Sequence, residues 1–472
     1  MVIESLMYNH ALNKTKMKQT IYFLTMLAIL GLSITTVAQP LAGGRAFSLA
    51  ICDNNTVTAW GSNSFGQLGN GTTNDSNLPI DVSFLTGITS VSCGDRHSLA
   101  MKNDGTVWAF GDNSNGALGN GTNTNSSVPV PVSTLTGITA IAGGRYHSVA
   151  LKNDSTVWAW GFNGEGALGN GSNTNSNFPV RVSFLTGIVA IGAGTNFSIA
   201  LKSDGTVWAW GFNDDGELGN GTNTSTNVPV PVSSLTGVTA IACGYFHAIA
   251  LKNDHTVWTW GYNGNGQLGN ATYNDSNTPV AVSSLAGAIK IAGGRLHSMA
   301  ITTDETVWTW GGNINGQLGN GSNSSVNVPV HVSSLTGITI IAAGEQHSLA
   351  RKNDSTAWSW GSNGSGELGN GSNTSSNVPV QVNGLCTVFS VIENTEQLSY
   401  SVFPNPGSGY FTFTCSGEKG TVEIYNVLGV KVYHSEIRNQ KTGIDLSGQP
   451  SGIYLVKFYA GQKMQTGKII IQ

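Results

Sequence analysis

The chain has 472 residues and a formal net charge of −4, and only 10% of its residues are charged, against about 25% in ordinary globular proteins. Aromatic residues make up 8% of the chain, which is enough to build a core and excludes wholesale disorder. The weak negative charge argues against a nucleic-acid-binding protein, which would carry a basic patch. Five cysteines are too few for a small disulfide scaffold.

The N-terminus, residues 1–38, is predicted to be an export signal. Three lysines precede the uncharged apolar run 21–34, and small residues lead to a cleavage site after Ala38. The apolar run is shorter than a membrane span and has no stop-transfer flank. An N-terminal membrane anchor is the alternative interpretation. Signal removal predicts an exported protein with no stable membrane span in the mature form.

Residues 39–392 contain one unit of 50 residues written seven times. Each unit carries a Trp-Gly or Phe-Gly pair, followed by a Leu-Gly-Asn tripeptide. The aromatic residue of the pair is Trp60, Phe110, Trp160, Trp210, Trp260, Trp310 or Trp360. All 12 tryptophans lie in these units. Seven long units with short alternating runs predict a propeller or a solenoid.

Residues 137–186 show how one unit is organised. The pattern predicts four antiparallel strands, at 138–142, 147–152, 156–160 and 179–183. The second and third strands flank a tight Asn-Asp-x turn, which is a hairpin signal. The fourth strand carries proline, which fits an outer edge because proline cannot donate to a strand ladder. Such a meander is one propeller blade.

The units resemble the regulator-of-chromosome-condensation repeat, as in the segment from Cys93, CGDRHSLAMKNDGTVWAFGDNSNGALGNG. The resemblance covers about residues 42–382 and implies a seven-bladed propeller. The first copy begins at Ala42, with little room for its own first strand. We therefore expect residues 387–392 to supply that strand and close the ring, which would remove exposed strand edges.

The composition changes at Glu393, so residues 393–400 are interpreted as a linker and residues 401–472 as a separate domain. Alternating strands there predict a small β-sandwich, which makes the whole chain all-β. The segments FPNP, YNVLGVKV, IDLSGQPSGIYLVKF and GKIIIQ resemble the type A sorting domain of type IX secretion. This resemblance implies handling by the type IX machinery and a secreted or outer-membrane surface location. An independent binding sandwich is the alternative.

The residues that recur in every unit favour structural roles over chemistry. Histidine recurs at one position, where Phe47 and Phe197 replace it in two units; the histidines are His97, His147, His247, His297 and His347. A group that phenylalanine can replace is expected to be structural. The recurrent aspartates are interpreted as turn residues. Ligand spacings typical of metal sites are missing, so we expect neither a metal nor a cofactor.

One local group of acidic residues stands out, Asp214 and Asp215 with Glu217. Paired carboxylates for acid–base chemistry must be close in space and differ in environment. We interpret this group as a solvated loop. Cys52, Cys386 and Cys415 have no partner that can be assigned from the sequence.

The units differ mainly where the first strand turns into the second, and just after the Trp-Gly pair. In an antiparallel meander these two connections lie on the same side of the ring, which we call the loop face. The connections of the opposite face are nearly uniform Asn-Asp-x and Ser-x-Leu-Thr-Gly segments. Arg, Tyr and Phe dominate binding hot spots. The candidate binding residues are Arg45, Arg96, Arg145, Tyr146, Phe162, Phe212, Tyr245, Phe246, Tyr262 and Arg295. Neutral variation of solvent-facing loops is the alternative.

These observations predict an exported, non-enzymatic propeller that binds an unidentified protein or glycan through the loop face. A secreted hydrolase or lyase with a site at the propeller axis is the alternative. Guanine-nucleotide exchange, the activity of the family's eukaryotic namesake, is a third hypothesis, disfavoured by the export signal. Residues 39–392 carry 12 basic and 19 acidic residues, which disfavours nucleic-acid binding. We expect a monomer.

Overall fold

The computed structural model describes residues 40–386, 400–415, 420–426, 430–438, 441–460 and 463–472. The regular secondary structure of these residues consists of β-strands, which confirms the all-β class. The chain divides into two compact units, one ending at Cys386 and one from residue 387 to the C-terminus. The predicted signal peptide and nearly all of the predicted linker lie outside the described residues.

The first unit consists of seven four-stranded antiparallel sheets, each with its strands in chain order. The first sheet contains β1 (Leu41–Gly43), β2 (Phe47–Ile51), β3 (Val57–Gly61) and β4 (Ser76–Asp81). The second contains β5 (Ile88–Cys93), β6 (His97–Lys102), β7 (Val107–Gly111) and β8 (Ser126–Pro131). The third contains β9 (Ile138–Gly143), β10 (His147–Lys152), β11 (Val157–Gly161) and β12 (Ser176–Arg181). The fourth contains β13 (Ile188–Ala193), β14 (Phe197–Lys202), β15 (Val207–Gly211) and β16 (Thr226–Pro231).

The remaining three sheets follow the same plan. The fifth contains β17 (Val238–Cys243), β18 (His247–Lys252), β19 (Val257–Gly261) and β20 (Ser276–Ala281). The sixth contains β21 (Ala288–Gly293), β22 (His297–Thr302), β23 (Val307–Gly311) and β24 (Val326–His331). The seventh contains β25 (Ile338–Ala343), β26 (His347–Lys352), β27 (Ala357–Gly361) and β28 (Ser376–Gln381). The seven sheets are the blades of the predicted propeller.

The ring is closed by backbone hydrogen bonds between consecutive turns that follow the first strand of each blade. These bonds run from Arg45 N to Asp95 O, Asp95 N to Arg145 O, Arg145 N to Gly194 O, Thr195 N to Tyr245 O, Tyr245 N to Gly294 O, Arg295 N to Glu345 O and Glu345 N to Gly44 O, at 2.9–3.3 Å. The last bond links the seventh blade to the first. The first strands also contact their neighbours in a complete cycle, in which β1 touches both β5 and β25.

The predicted source of the first blade's inner strand was wrong. β1, at Leu41–Gly43, pairs with β2 and occupies this place, whereas residues 387–392 lie outside the described residues. Three residues are enough, because Leu41 and Ala42 are buried against neighbouring blades. The sequence left too little length for a strand of ordinary size, but a short inner strand satisfies the pairing.

The contact between the seventh and first blades is reinforced by a disulfide bond between Cys52 and Cys386, whose Cα atoms are 5.2 Å apart. Arg351 donates hydrogen bonds to the carbonyl oxygen of Ile51 at 3.1 Å and to Asp53 at 3.0 Å. These side-chain contacts join residues about 300 positions apart in sequence, so ring closure brings them together.

Tryptophan packs between blades. Trp160 is fully buried, and its indole nitrogen donates to the carbonyl oxygen of Ala117 in the preceding blade at 2.8 Å. The same bond recurs at Trp60, Trp210, Trp260, Trp310 and Trp360. The other tryptophans of the third strands are half-buried, and four lysines lie over their rings, as Lys102 does over Trp108. The tryptophans of one row therefore form core, whereas those of the other row stay partly exposed.

The fourth strands begin three residues earlier than predicted, at Ser176 instead of residue 179 in the third blade. Gly161 pairs with Ser176, whereas Ala159 pairs with Val180, so a bulge lies between them. Gly161 adopts a φ of 103°, which side-chain-bearing residues rarely adopt. A bulge adds residues to one strand without disturbing the alternation of its partner, so the alternation pattern did not indicate it.

The second unit contains two sheets around one core. One sheet orders β29 (Tyr400–Phe403), β30 (Tyr410–Cys415) and β33 (Lys441–Asp445). The other orders β32 (Lys431–Ile437), β31 (Gly420–Tyr425), β34 (Gly452–Ala460) and β35 (Lys463–Ile471). Phe411, Phe413, Val456 and Phe458 lie in the buried core. The predicted β-sandwich pattern agrees with this arrangement.

Candidate functional site

The loop face is built by two connections of each blade that hydrogen bond to each other. In the third blade the amide of Phe162, just after the third strand, donates to the carbonyl oxygen of Tyr146 at 2.9 Å. The equivalent bond joins Phe212 to Asn196 and Tyr262 to Phe246. The two variable connections therefore lie side by side, and the ten candidate residues share this face.

The first residue of each of the seven turns forms what we call the axial mouth, defined by residues 45, 95, 145, 195, 245, 295 and 345. The residues are Arg45, Asp95, Arg145, Thr195, Tyr245, Arg295 and Glu345. Their backbones are the ones joined by the closed cycle of hydrogen bonds. A hydrogen bond of 3.2 Å from the Tyr245 hydroxyl to Asp95 Oδ1 joins the fifth blade to the second. The axial mouth is therefore a set of side chains from several blades in contact.

Arginine surrounds two carboxylates at the axial mouth. Arg45, Arg96 and Arg145 each have a guanidinium nitrogen 3.5–4.0 Å from Asp95 Oδ2. Arg45 also lies 3.1 Å from Glu345, and Arg295 donates a hydrogen bond of 2.5 Å to the same carboxylate. Four guanidinium groups thus share two carboxylates.

The two charge types lie at different depths. Asp95 and Glu345 are buried, as is the nearby Asp112, whereas the side chains of the four arginines are 30–45% exposed. Arg96 and Arg145 also stack over the rings of Phe65 and Tyr146, at 4.6 and 4.8 Å from the ring centres. The surface that solvent meets at the axial mouth is therefore made of positive groups above buried negative ones.

Burial raises the pKa of the Tyr245 hydroxyl well above its usual range, and the nearby Asp95 and Glu345 carboxylates raise it further. The hydroxyl therefore stays protonated at neutral pH and donates to Asp95. Four polar atoms at and beside the axial mouth are buried without a hydrogen-bond partner among the described residues: Asp95 Oδ2, Arg145 Nε, Thr195 Oγ1 and Asn196 Oδ1.

Aromatic side chains form edge-to-face pairs on the same face. Tyr146 packs on Phe162, with ring centres 6.4 Å apart, and Phe246 contacts both Tyr245 and Tyr262. Nine of the ten candidate residues are half-buried, and Arg45 is exposed. A depression lined by Arg96, Asp112, Arg145 and Tyr146 leaves a volume of ≈ 0 Å³ for a water-sized molecule, whereas typical small-molecule pockets have volumes of about 300–1,000 Å³. The face is accordingly shallow.

The recurrent histidines lie beneath this surface and join neighbouring blades. His147 is fully buried, and its Nε2 is 2.9 Å from the hydroxyl of Ser198 in the next blade. The same contact recurs at His97, His247, His297 and His347. Burial lowers the pKa of His147 to about 3, so the ring is neutral. Where Phe197 replaces histidine, the next blade carries Ala248 at the serine position. These contacts agree with the structural role predicted for the histidines.

The acidic group of the fourth blade differs from its prediction. Asp214 is exposed, but Glu217 is completely buried, so this part of the loop is not solvated. Burial raises the pKa of Glu217 to about 8. Its Oε2 accepts the Asp215 amide at 3.1 Å. Gln267, at the same position of the next blade, accepts the equivalent amide. The side chain at this position therefore stabilises the loop through a hydrogen bond to its backbone.

The aspartates of the tight turns have the predicted role. Asp104 accepts bonds from the amide and hydroxyl of Thr106 at 2.9 and 2.6 Å, and the pattern recurs in the other blades. Within the described part of the chain, no group of three or more His, Cys, Asp or Glu side chains is arranged to hold a metal. The same residues include no helix long and apolar enough to cross a membrane.

The carboxylates of the axial mouth and two phenylalanines on the opposite face were not among the residues predicted from the sequence. Asp95 and Glu345 occupy the same variable turns as the arginines, but only residue types common in hot spots were selected there. Phe84 and Phe184 lie in the segments considered uniform, and they are 90% and 88% exposed. The variable second residue of those segments was the available signal.

Comparison with known families assigns the repeats and the tail. The RCC1-like domain matches residues 171–398, and the regulator of chromosome condensation (RCC1) repeat matches residues 54–101 and 104–151. A second description of the RCC1 repeat matches residues 88–117 and 138–167. The secretion system C-terminal sorting domain matches residues 401–472. The search of curated proteins gave no match.

Solved structures share the propeller. Yeast RCC1 (Prp20), solved bound to Kap60, is 22% identical over 75% of this chain and 87% of its own, with a TM-score of 0.66. Prp20p of Saccharomyces cerevisiae, whose report concerns its binding to Gsp1p and histones, is 25% identical over 74% and 87%, with a TM-score of 0.64. Human WBSCR16 is 24% identical over 69% and 93%, with a TM-score of 0.63.

Proposed function

Because the chain belongs to the RCC1-repeat propellers and carries a C-terminal type IX sorting domain, we propose that it is an exported propeller that binds a protein or glycan through its loop face. The sorting domain directs the chain to the cell surface or outside the cell. Binding without catalysis is the proposed role, and residues 401–472 are the proposed contact with the secretion machinery.

The observation that carries the proposal is the concentration of arginine and aromatic side chains on one face. Two connections of each blade present these residues, and the cycle of backbone hydrogen bonds holds the turns in place. Residues held by packing bind with a smaller loss of conformational entropy than mobile ones. The opposite face presents mostly Asn-Asp turns whose side chains bond locally.

The alternative of a hydrolase or lyase at the axis is less well supported. The carboxylates available there, Asp95 and Glu345, are each paired with arginine, and Asp95 also accepts the Tyr245 hydroxyl. A general acid or base must reach the proton that it transfers, whereas both of these carboxylates are buried and already engaged in the contacts just described.

Site-specific photo-crosslinking of the full chain tests the proposal. A photoreactive phenylalanine analogue replaces Phe162 or Tyr262 on the loop face. Phe184 on the opposite face, which is more exposed than either, serves as the control. After irradiation in the native medium, we expect discrete adducts from the two loop-face positions and none from Phe184. Equal adducts from all three positions, or adducts from Phe184 alone, would contradict binding through the loop face.

A further inference from the structure

We propose that the axial mouth is a site for the Asp and Glu side chains of an acidic protein segment. This inference rests on the proposed function and specifies the chemistry of its ligand. Of the six arginines in residues 39–392, four lie at or beside the axial mouth: Arg45, Arg96, Arg145 and Arg295. The propeller as a whole is acidic, so this concentration is local.

The depth of the charges determines which ligand the site can accept. The carboxylates of Asp95, Asp112 and Glu345 are buried, and the guanidinium groups above them are partly exposed. An approaching ligand therefore meets the guanidinium groups first. It does so within the Debye length, over which exposed charges still attract each other. An anionic ligand is favoured at this surface even though the face also contains acidic residues.

The guanidinium groups retain unused hydrogen-bonding capacity. Each guanidinium offers five N–H donors in a fixed fork that matches a carboxylate. The contacts of Arg45, Arg96 and Arg145 to Asp95 are 3.5–4.0 Å long, which is beyond normal hydrogen-bond length. Arg145 Nε is buried without a hydrogen-bond partner among the described residues. Such orphaned groups in a folded protein call for a water molecule or a ligand.

The shallow shape of the face favours a protein over a small anionic sugar. The depression beside Arg96 and Arg145 is smaller than a typical small-molecule pocket. Tyr146 lies under Arg145, and Phe246 packs between Tyr245 and Tyr262 on the same face. Arg with Tyr is the combination enriched at the centres of protein interfaces. A protruding acidic side chain can reach the guanidinium groups while its neighbours contact the aromatic rings.

The test uses the full chain and a fluorescein-labelled peptide of ten glutamates, with binding followed by fluorescence anisotropy at two salt concentrations. We expect salt-sensitive binding that weakens at least tenfold in the variant R45Q/R145Q/R295Q. The matched control K202Q/K252Q/K352Q removes the same charge at the opposite ends of the second strands, and its affinity should stay within twofold of the parent chain.

A second variant distinguishes loss of the binding site from loss of folding. R45Q/R145Q/D95N removes a buried carboxylate together with two of its arginines, so no charge is left buried without compensation. This variant should keep its thermal midpoint and still bind the peptide at least fivefold more weakly. Equal peptide binding by the parent and both arginine variants would overturn the inference.

Polygalacturonate is the comparison probe for an anionic glycan. Binding of polygalacturonate without binding of the glutamate peptide would replace the acidic protein by a glycan and overturn the inference, as would binding of neither probe. In each of these cases, loop-face adducts in the crosslinking experiment would leave the proposed function standing. Loss of those adducts, by contrast, would contradict the proposed function itself.

Discussion

At the residue scale, burial changes the chemistry of side chains whose sequence position looks ordinary. Glu217 occupies a position that carries Gln, Ala or Glu in the seven repeat units. The sequence gives no sign that this position is buried, because the loop around it is rich in Gly, Asn and Asp. The fold nevertheless covers it completely. Burial therefore destabilises the charged form of its carboxyl group, whereas a neutral glutamine at the same site carries no such charge.

We expect E217Q to stabilise the protein at alkaline pH. The pKa of Glu217 is about 8 in the folded chain, above its ordinary value of 4.5. Its stabilising contribution is therefore complete below pH 4.5 and is lost as the pH rises through 8. Each pKa unit corresponds to about 1.4 kcal/mol, so the variant should gain up to about 5 kcal/mol at pH 8.5 and little at pH 4.5.

Urea unfolding at the two pH values measures this gain. E165Q removes the charge of an exposed glutamate and should change the free energy of unfolding little at either pH. A gain of the same size at pH 4.5 and 8.5 would show that the ionisation of Glu217 is not the cause.

At the scale of the strand, the second strands of adjacent blades are joined by histidine–serine contacts. The sequence predicts a structural role for these histidines, because Phe47 and Phe197 replace two of them. It does not identify the serine partner, which lies 51 residues later in the chain. The offset equals one unit plus one residue, and this follows from packing one blade on the next.

A double-mutant cycle on His147 and Ser198 tests this contact. S198A leaves a buried imidazole nitrogen without its partner and should cost about 1–3 kcal/mol. H147F alone should cost about 1 kcal/mol, because the serine hydroxyl keeps its bond to Ala167 O. The double variant reproduces the natural Phe197 and Ala248 pair, so its cost should be less than the sum of the two single costs.

The pH dependence of the double variant provides a second readout. The pKa of His147 is lowered from 6.5 to about 3 in the folded chain. Stability from this group is therefore complete above pH 6.5 and is lost as the pH falls toward 3. The double variant should lose less stability between pH 6.5 and 4 than the parent. Additive single costs and an unchanged acid profile would argue against the contact.

At the scale of the whole molecule, the join between the seventh and first blades differs from the other six. The disulfide between Cys52 and Cys386 spans 334 residues, and Arg351 adds hydrogen bonds at the same place. The first blade has a three-residue inner strand, whereas the other six have six residues each. The covalent bond therefore reinforces the blade with the least inner-strand pairing.

We expect reduction of this disulfide to destabilise the ring at that join. Cross-linking a loop of this length is worth about 6 kcal/mol in the chain-entropy account. Hydrogen exchange with and without dithiothreitol should show loss of protection in β1 and β26, while β14 and β15 change little. The variant C52S/C386S should show the same exchange pattern and no response to dithiothreitol. Uniform loss of protection in all blades would contradict a local effect.

The repeated pattern was sufficient to predict seven units, most strand positions, the turn aspartates and the shared face of the ten candidate residues, whereas the choice of a propeller over a solenoid came from the family resemblance. These properties follow from local alternation and turn chemistry, which are repeated in every unit. The Cys52–Cys386 bond, the inner strand of the first blade and the Tyr245–Asp95 contact could not be predicted in this way. Tyr245 and Asp95 are 150 residues apart and meet only because the closed ring turns the same position of different blades toward one axis. Which charges lie deep and which stay exposed also depends on that closure, since burial is a property of the assembled ring.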